Sequence, residues 1–382
     1  MKFIKYLLTI IILSSFTSKE NNYVNYFEIT NKAELAIVDS SYNSALDLYK
    51  KAFNLDIPPL TRDLKNAMYC AYFNHDTVTT VNIVEKLLKK GMPINDIEED
   101  KYLVNILRNT NYLELKKTYP EIEKYCRTKY NYELHEEGRK MYLKDQYYDK
   151  KRFEEEYVDS NYIVVYKNAE RLIEIFNQYG YPNENVVGVQ SRDYFSIPTI
   201  HFFQCKKKLE LDMFSKSKSN LLKLGICFDS LRFEQALEKG KLKSGAFNSS
   251  IVNKTDEIDP YGRIILLVVD RNYELINRSK EQISCIDSLR KTANLCSYND
   301  YIKKAKFELF NKYDFRKWGV NETKEDYTKN ILNSVNNPKV PFDLGTFGSN
   351  KMNFFVDTTQ GNLFFEKQIE AYKKLAQLPT CC

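Results

Sequence analysis

Histidine is the side chain whose charge changes nearest neutral pH, so each one is a candidate acid, base or ligand. The chain carries three, His75, His135 and His201. His201 stands in the apolar stretch "IPTIHFFQC", where an adjacent carboxylate would make it a general base. Asp145–Gln146 offers a carboxylate and an amide to one pocket. Asp270–Arg271 follows an unbroken apolar run from Ile264 to Val269, and polar residues just past a buried strand are a frequent place for sites. Arg290 stands three residues after Asp287, the spacing of an ion pair on one helix face. Asp145, His201, Asp270 and Arg271 are therefore the catalytic candidates, and Gln146 and Arg290 the binding candidates. Each also has a plainer structural reading: a histidine bonded inside a core, a polar helix face, or an ion pair tying strand to helix. Taken singly, none outweighs that plainer reading.

Several chemistries find no support. There is no G-x-S-x-G, no H-E-x-x-H, no Gly-rich phosphate loop and no C-x-x-C pair. The three histidines are too widely spaced for a mostly histidine metal site, so neither metal nor cofactor is expected. The net charge of +6 comes from 57 basic and 51 acidic residues spread along the chain. Without a basic block, nucleic acid is not an expected partner.

What must position the candidates is a helical framework. A chain of 382 residues exceeds one ordinary domain. Only 12 Gly and 10 Pro interrupt it, which favours helices over a turn-rich β fold. Lys2 and Lys5 precede the apolar run "YLLTIIILSSF" (Tyr6 to Phe16), and polar "TSKENN" follows. That is the layout of a secretory signal, taken as residues 1–18, with Ser15 and Thr17 as small residues before a cut. The run is shorter than the ~20 residues of a spanning helix. The expected location is the periplasm or cell envelope; the alternative is tethering to the inner membrane by an uncleaved segment. Eight cysteines, including terminal Cys381–Cys382, form no repeated spacing, so no disulfide framework is assigned.

Helical periodicity places Tyr42, Ala45, Leu46, Tyr49, Ala52 and Phe53 on one face of a helix over 41–53, followed by Pro58–Pro59. Residues 24–38 make its antiparallel partner, with Asp39–Ser41 as the turn. The next pair is expected over 61–73 and 76–90, closed by Gly91 and Pro93, and a third over 97–118. The charged stretch 119–158 reads as one or two connecting helices with a solvated face. Beyond it, the spacing predicts helices from Asp159 to Gly180, then over 196–205, 207–224, 230–240, 279–293 and 297–312, with Ile264–Val269 as a buried strand. Residues 313–382 hold a loop, "NNPKVPFDLGTFGSNKMNFF", a hairpin turning at Gln360–Gly361 and a last helix over 365–377.

The order Tyr42, Ala45, Tyr49, Ala52, Pro58 resembles the second helix of the tetratricopeptide repeat, and residues 24–118 as a whole resemble a degenerate array of such helix pairs. The alanines allow close helix approach and the tyrosines fill the gaps. Farther on, "KDQYYDKK" (144–151), "VDSN" (158–161), "YGYP" (179–182), "VVGV" (186–189), "IHFFQ" (200–204), "VVDRN" (268–272) and "IDSLR" (286–290) come in an order similar to a widespread, uncharacterised bacterial domain family. The resemblance covers about 140–312. It implies architecture and no reaction. One departure is plain: the family's Tyr-Gly-Thr-Gln segment should follow the Asp-Arg pair, whereas here Tyr261-Gly262-Arg263 precedes it. That departure points to an altered site.

The expected fold is mainly α: tetratricopeptide-like antiparallel helix pairs (24–118), a charged connector (119–158), a mostly helical α+β domain with little β (159–312) and a C-terminal segment (313–382). The expected function is that of an exported, non-enzymatic scaffold binding a protein or peptide of the envelope. The alternative is a hydrolase-like enzyme built on His201, Asp145 and Asp270–Arg271.

Overall fold

Apolar residues recurring every three to four positions bury one stripe of each helix, and this pattern organises nearly all of the described chain. The structure, a computed structural model, describes residues 23–152, 154–189, 194–210, 215–244, 266–269, 272–275, 278–292, 295–312, 340–344 and 356–357. The protein is mainly helical. In chain order the helices are α1 (23–38), α2 (Tyr42–Phe53), α3 (Thr61–Phe73), α4 (Thr77–Lys89), α5 (Ile94–Glu98), α6 (Thr110–Lys117), α7 (Tyr119–Lys129), α8 (Tyr132–Lys150), α9 (Glu155–Tyr179), α10 (Glu184–Val187), α11 (Ser196–Glu210), α12 (Ser215–Lys223), α13 (Ser230–Ser244), α14 (Lys280–Thr292) and α15 (Tyr298–Lys312). No helix among the described residues is long and apolar enough to cross a membrane. The signal segment, the hairpin at Gln360–Gly361 and the helix over 365–377 lie outside the described residues.

The chain divides into two units. One comprises Met1–Val84, Asp100–Tyr112 and Glu257–Cys382; the other Glu85–Glu99 and Leu113–Asp256. In the first unit, α1 turns into α2 at Asp39–Ser40, where Ser40 takes a left-handed φ of 56° and Ser41 N–H bonds Ala36 O at 2.8 Å. The face predicted for α2 is the buried one: Ala45, Leu46, Tyr49 and Ala52. Beneath it runs a polar core. Glu34 and Lys304 are 3% and 4% exposed, and Lys304 Nζ lies 2.7 Å from Glu34 Oε2. Arg62 Nη2 reaches Glu34 Oε1 at 3.1 Å, and Tyr26 OH donates to Asp63 Oδ2 at 2.7 Å. These bonds tie α15 and α3 to α1. Leu266–Val269 is strand β1, antiparallel to β2 (Asn272–Leu275) and parallel to β3 (Val356–Asp357).

The third helix pair expected over 97–118 is broken into α5, a 3-10 turn at Ile106–Arg108 and α6. Asp100 Oδ1 accepts from Tyr102 N–H and Asn109 Oδ1 from Asn111 N–H, each at 2.9 Å. Such local bonds offer the backbone an alternative to helix.

In the second unit α9 is the central element, and α8, α11, α12 and α13 pack on it. It starts at Glu155, four residues before the predicted Asp159, and stops at Gly180, whose φ is 81°. Its predicted face, Ala169, Leu172, Ile173 and Phe176, is buried. Phe202 and Phe233 stack on each other with centroids 4.3 Å apart. α11 runs to Glu210, beyond the predicted end at 205, and α13 runs past Gly240 to Ser244. Gly188, in the "VVGV" stretch, has a φ of 76°, and a Cβ there would stand 3.4 Å from Lys90 O and the Tyr130 ring. Only glycine meets both conditions without strain. Val189 N–H then bonds Lys90 O at 3.0 Å. Among the described residues Cys70, Cys126, Cys205, Cys227, Cys285 and Cys296 form no disulfide; Cys381–Cys382 lie outside them.

Candidate functional site

The second unit holds the first candidate site, on α8 and α11. Asn131 caps α8, its side chain accepting from Leu134 N–H at 3.0 Å. Leu134, Gly138, Met141, Tyr142 and Asp145 recur at helical spacing and are buried. Asp145 thus continues an apolar stripe, and its side chain is fully buried. Its Oδ2 lies 2.6 Å from His201 Nδ1. A carboxylate only accepts, so Nδ1–H donates and Nε2 of the neutral ring is left as the acceptor. That is the tautomer a general base requires. Gln146 Nε2 also donates to Asp145 Oδ2, at 3.3 Å. Asp145 Oδ1 is buried and has no hydrogen-bond partner among the described residues. One turn on, Asp149 Oδ2 lies 3.9 Å from His201 Nε2 and accepts from Arg152 Nη1. Asn161 of α9 donates to Cys205 Sγ at 3.9 Å, one turn beyond His201.

Sequence reasoning therefore selected three residues that the fold brings together: Asp145, Gln146 and His201. Asp149, although inside the quoted "KDQYYDKK", was not among them; its signal was the four-residue offset from Asp145 on one helix face. Asp270 and Arg271 lie outside the described residues. Arg290 belongs to the first unit, where its Nε donates to Cys296 O at 2.6 Å and its guanidinium lies 4.7 Å from the Tyr301 ring centroid. Asp287 Oδ1 accepts from Tyr298 N–H at 2.6 Å. Both residues thus brace the turn between α14 and α15. His135 donates through Nδ1 to Val187 O at 3.0 Å, a structural bond. No group of three His, Cys, Asp or Glu among the described residues is arranged to hold a metal ion.

The first unit holds a second arrangement, which sequence reasoning missed. Asn66, at 0% exposure, sits on the inner face of α3. Its Nδ2 donates to Asp343 O at 2.8 Å, and its Oδ1 accepts from Asp343 N–H at 3.0 Å. One side-chain amide thereby reads both polar groups of one peptide residue. Tyr49 OH, 3.3 Å from Nδ2, takes the other donor and fixes the amide's orientation. Leu344 N–H donates to Glu308 Oε1 on α15 at 2.6 Å. Phe342 is 1% exposed and lies against three rings, with centroids 5.5 Å from Tyr42, 6.1 Å from Tyr69 and 5.8 Å from Phe73. Phe342 and Leu344 are buried while Asp343 between them is exposed. That two-residue alternation is the signature of an extended segment. Burying the two side chains is worth about 1.5–3 kcal/mol each. The sequence signals were an Asn at a core position of α3 and a Phe set between Pro and Asp in a loop.

Comparison with protein-family models, with curated proteins and with solved structures finds no match for this chain.

Proposed function

We propose that the protein is an exported, non-enzymatic scaffold that binds an extended protein segment of the cell envelope. In this reading α1 to α4 are a short, degenerate tetratricopeptide-like array, and α2 and α3 carry the binding face. The observation that carries it is the clamp by Asn66 on both backbone groups of Asp343. A contact to main chain, flanked by side-chain pockets at alternate positions, is how extended peptides are recognised in general. The Lys2, Lys5 and Tyr6–Phe16 pattern supports export. The test is to pan an unbiased library of displayed short peptides against the full-length chain carrying Phe342→Ala. Binders that are lost on adding Asn66→Ala are expected. A library that yields no Asn66-dependent binder would sink the reading.

A second reading rests on the 2.6 Å bond between Asp145 and His201 beside a buried carboxylate oxygen that has no partner among the described residues. It makes the second unit a hydrolase-like enzyme with His201 as general base and Asp145 as the group that orients it. Incubation with chromogenic carboxylic and phosphoric esters tests it. Turnover that disappears in His201→Gln supports this reading; no turnover, or turnover unchanged by the substitution, removes it.

A further inference from the structure

The occupant of the Asn66 site is part of the same chain. Asp343 is 277 residues from Asn66 in sequence. Its neighbour Phe342 fills a ring pocket made by α2 and α3, and Leu344, itself buried, donates its N–H to Glu308 of α15. Residues 340–344 form neither helix nor strand. We propose that Pro341–Leu344 is an internal ligand that holds the site closed, and that the partner is an extended protein segment bearing the same Phe-Asp-Leu pattern, which binds by displacing it. This rests on the peptide-binding reading above.

Three features define the pattern. The ring pocket of Tyr42, Tyr69 and Phe73 takes an aromatic side chain. The amide of Asn66 takes the backbone of the next residue, whose side chain faces out. The N–H of the third residue meets the Glu308 carboxylate, which is 1% exposed. That third residue cannot be proline, because the contact needs its N–H.

The internal segment competes at the high effective concentration of a tethered ligand, and a site that is mostly occupied shows an apparent affinity reduced by its vacant fraction. The experiment measures fluorescence anisotropy of the labelled peptide Val-Pro-Phe-Asp-Leu-Gly with three full-length proteins: wild type, Phe342→Ala and Asp343→Pro. The last removes the N–H that Asn66 accepts and leaves α2, α3 and α15 unchanged. Both variants should keep the wild-type circular dichroism and bind the peptide at least about tenfold more tightly than wild type does. Adding Asn66→Ala, or replacing the peptide's Phe by Ala, should abolish binding. The proposal is overturned if neither variant binds the peptide, if wild type binds it equally well, or if both variants lose their helical signal, since the segment would then be part of the core and not a ligand. If panning returns Asn66-dependent peptides while Val-Pro-Phe-Asp-Leu-Gly fails, peptide binding stands and only the internal-ligand proposal falls.

Discussion

Gly138 lies in the middle of α8, where alanine is the better helix former by about 0.5–1 kcal/mol. Space decides the other way. A Cβ at this position would come within 2.4 Å of the Phe195 ring, which is fully buried. Gly138→Ala should therefore lower stability by about 1–3 kcal/mol through overpacking, read as a shift of the urea midpoint. A midpoint that rises would mean that the ring moves aside. The same close quarters show what could be read residue by residue. His201 was legible because a polar residue in an apolar stretch stands out and Asp145 because a carboxylate stands beside an amide, although nothing in their 56-residue separation announced a mutual bond. Asn66 was not legible. It sits in a helix otherwise accounted for, and its partner is a backbone far along the chain, which side-chain pattern cannot encode.

Element ends are where local sequence speaks most directly. Asp76 Oδ1 accepts from Thr79 N–H at 3.0 Å at the start of α4. Its side-chain and backbone hydrogen bonds with Thr79 hold its carboxyl below the ordinary value of 3.8. The folded-state value is depressed, so the stabilisation is present above the unfolded value and is lost as pH falls through the folded one. Asp76→Ala should cost about 1 kcal/mol at pH 7 and progressively less toward pH 3, while Asp76→Asn should retain most of the cap. Thermal melts at both pH values check this; an equal cost at each would exclude the carboxylate as its source. Ser279 and Gln282 make a reciprocal box at α14, and Ser297 Oγ caps Asp300 N–H at α15. The Asp300 side chain reaches elsewhere, its Oδ2 accepting from Asn31 Nδ2 at 3.0 Å. Helix existence and facing were thus readable from period and punctuation. The end of α9 was readable at Gly180; its beginning was not, because Glu155, Glu156, Tyr157 and Val158 before Asp159 carry no boundary signal.

At the scale of the whole molecule, the buried ions matter most. Burial works against the charge of Lys304, but Glu34 outweighs it and raises the Lys304 value above 10.5. Burial and the Asp63 charge raise Tyr26 above 10.0. Both raised groups contribute stability that is whole below their unfolded values and is lost as pH climbs through the folded ones. The melting temperature should hold from neutral pH to about pH 10 and fall above it. Lys304→Met strands the Glu34 carboxylate and should cost about 3 kcal/mol, the low end for a broken buried pair because Arg62 remains beside it. Adding Glu34→Leu should recover most of the loss, and urea unfolding of both variants tests this. No additional loss in the single variant relative to the double would mean that the pair is already hydrated. Sequence alone gave no hint of this core, because Glu34 and Lys304 read as ordinary solvated positions on their own helices. One more consequence lies in the 277 residues that separate Asn66 from Asp343. A chain is made from its N-terminus at about 5–20 residues per second, so Asn66 and the ring pocket of α2 and α3 precede their occupant by roughly 14–55 s. For that interval a newborn molecule meets other polypeptides without competition, whereas in a finished one they must displace Pro341–Leu344. Chains refolded from denaturant with excess Val-Pro-Phe-Asp-Leu-Gly present should trap more of it than native chains given the peptide afterwards; equal capture in both orders would refute the idea.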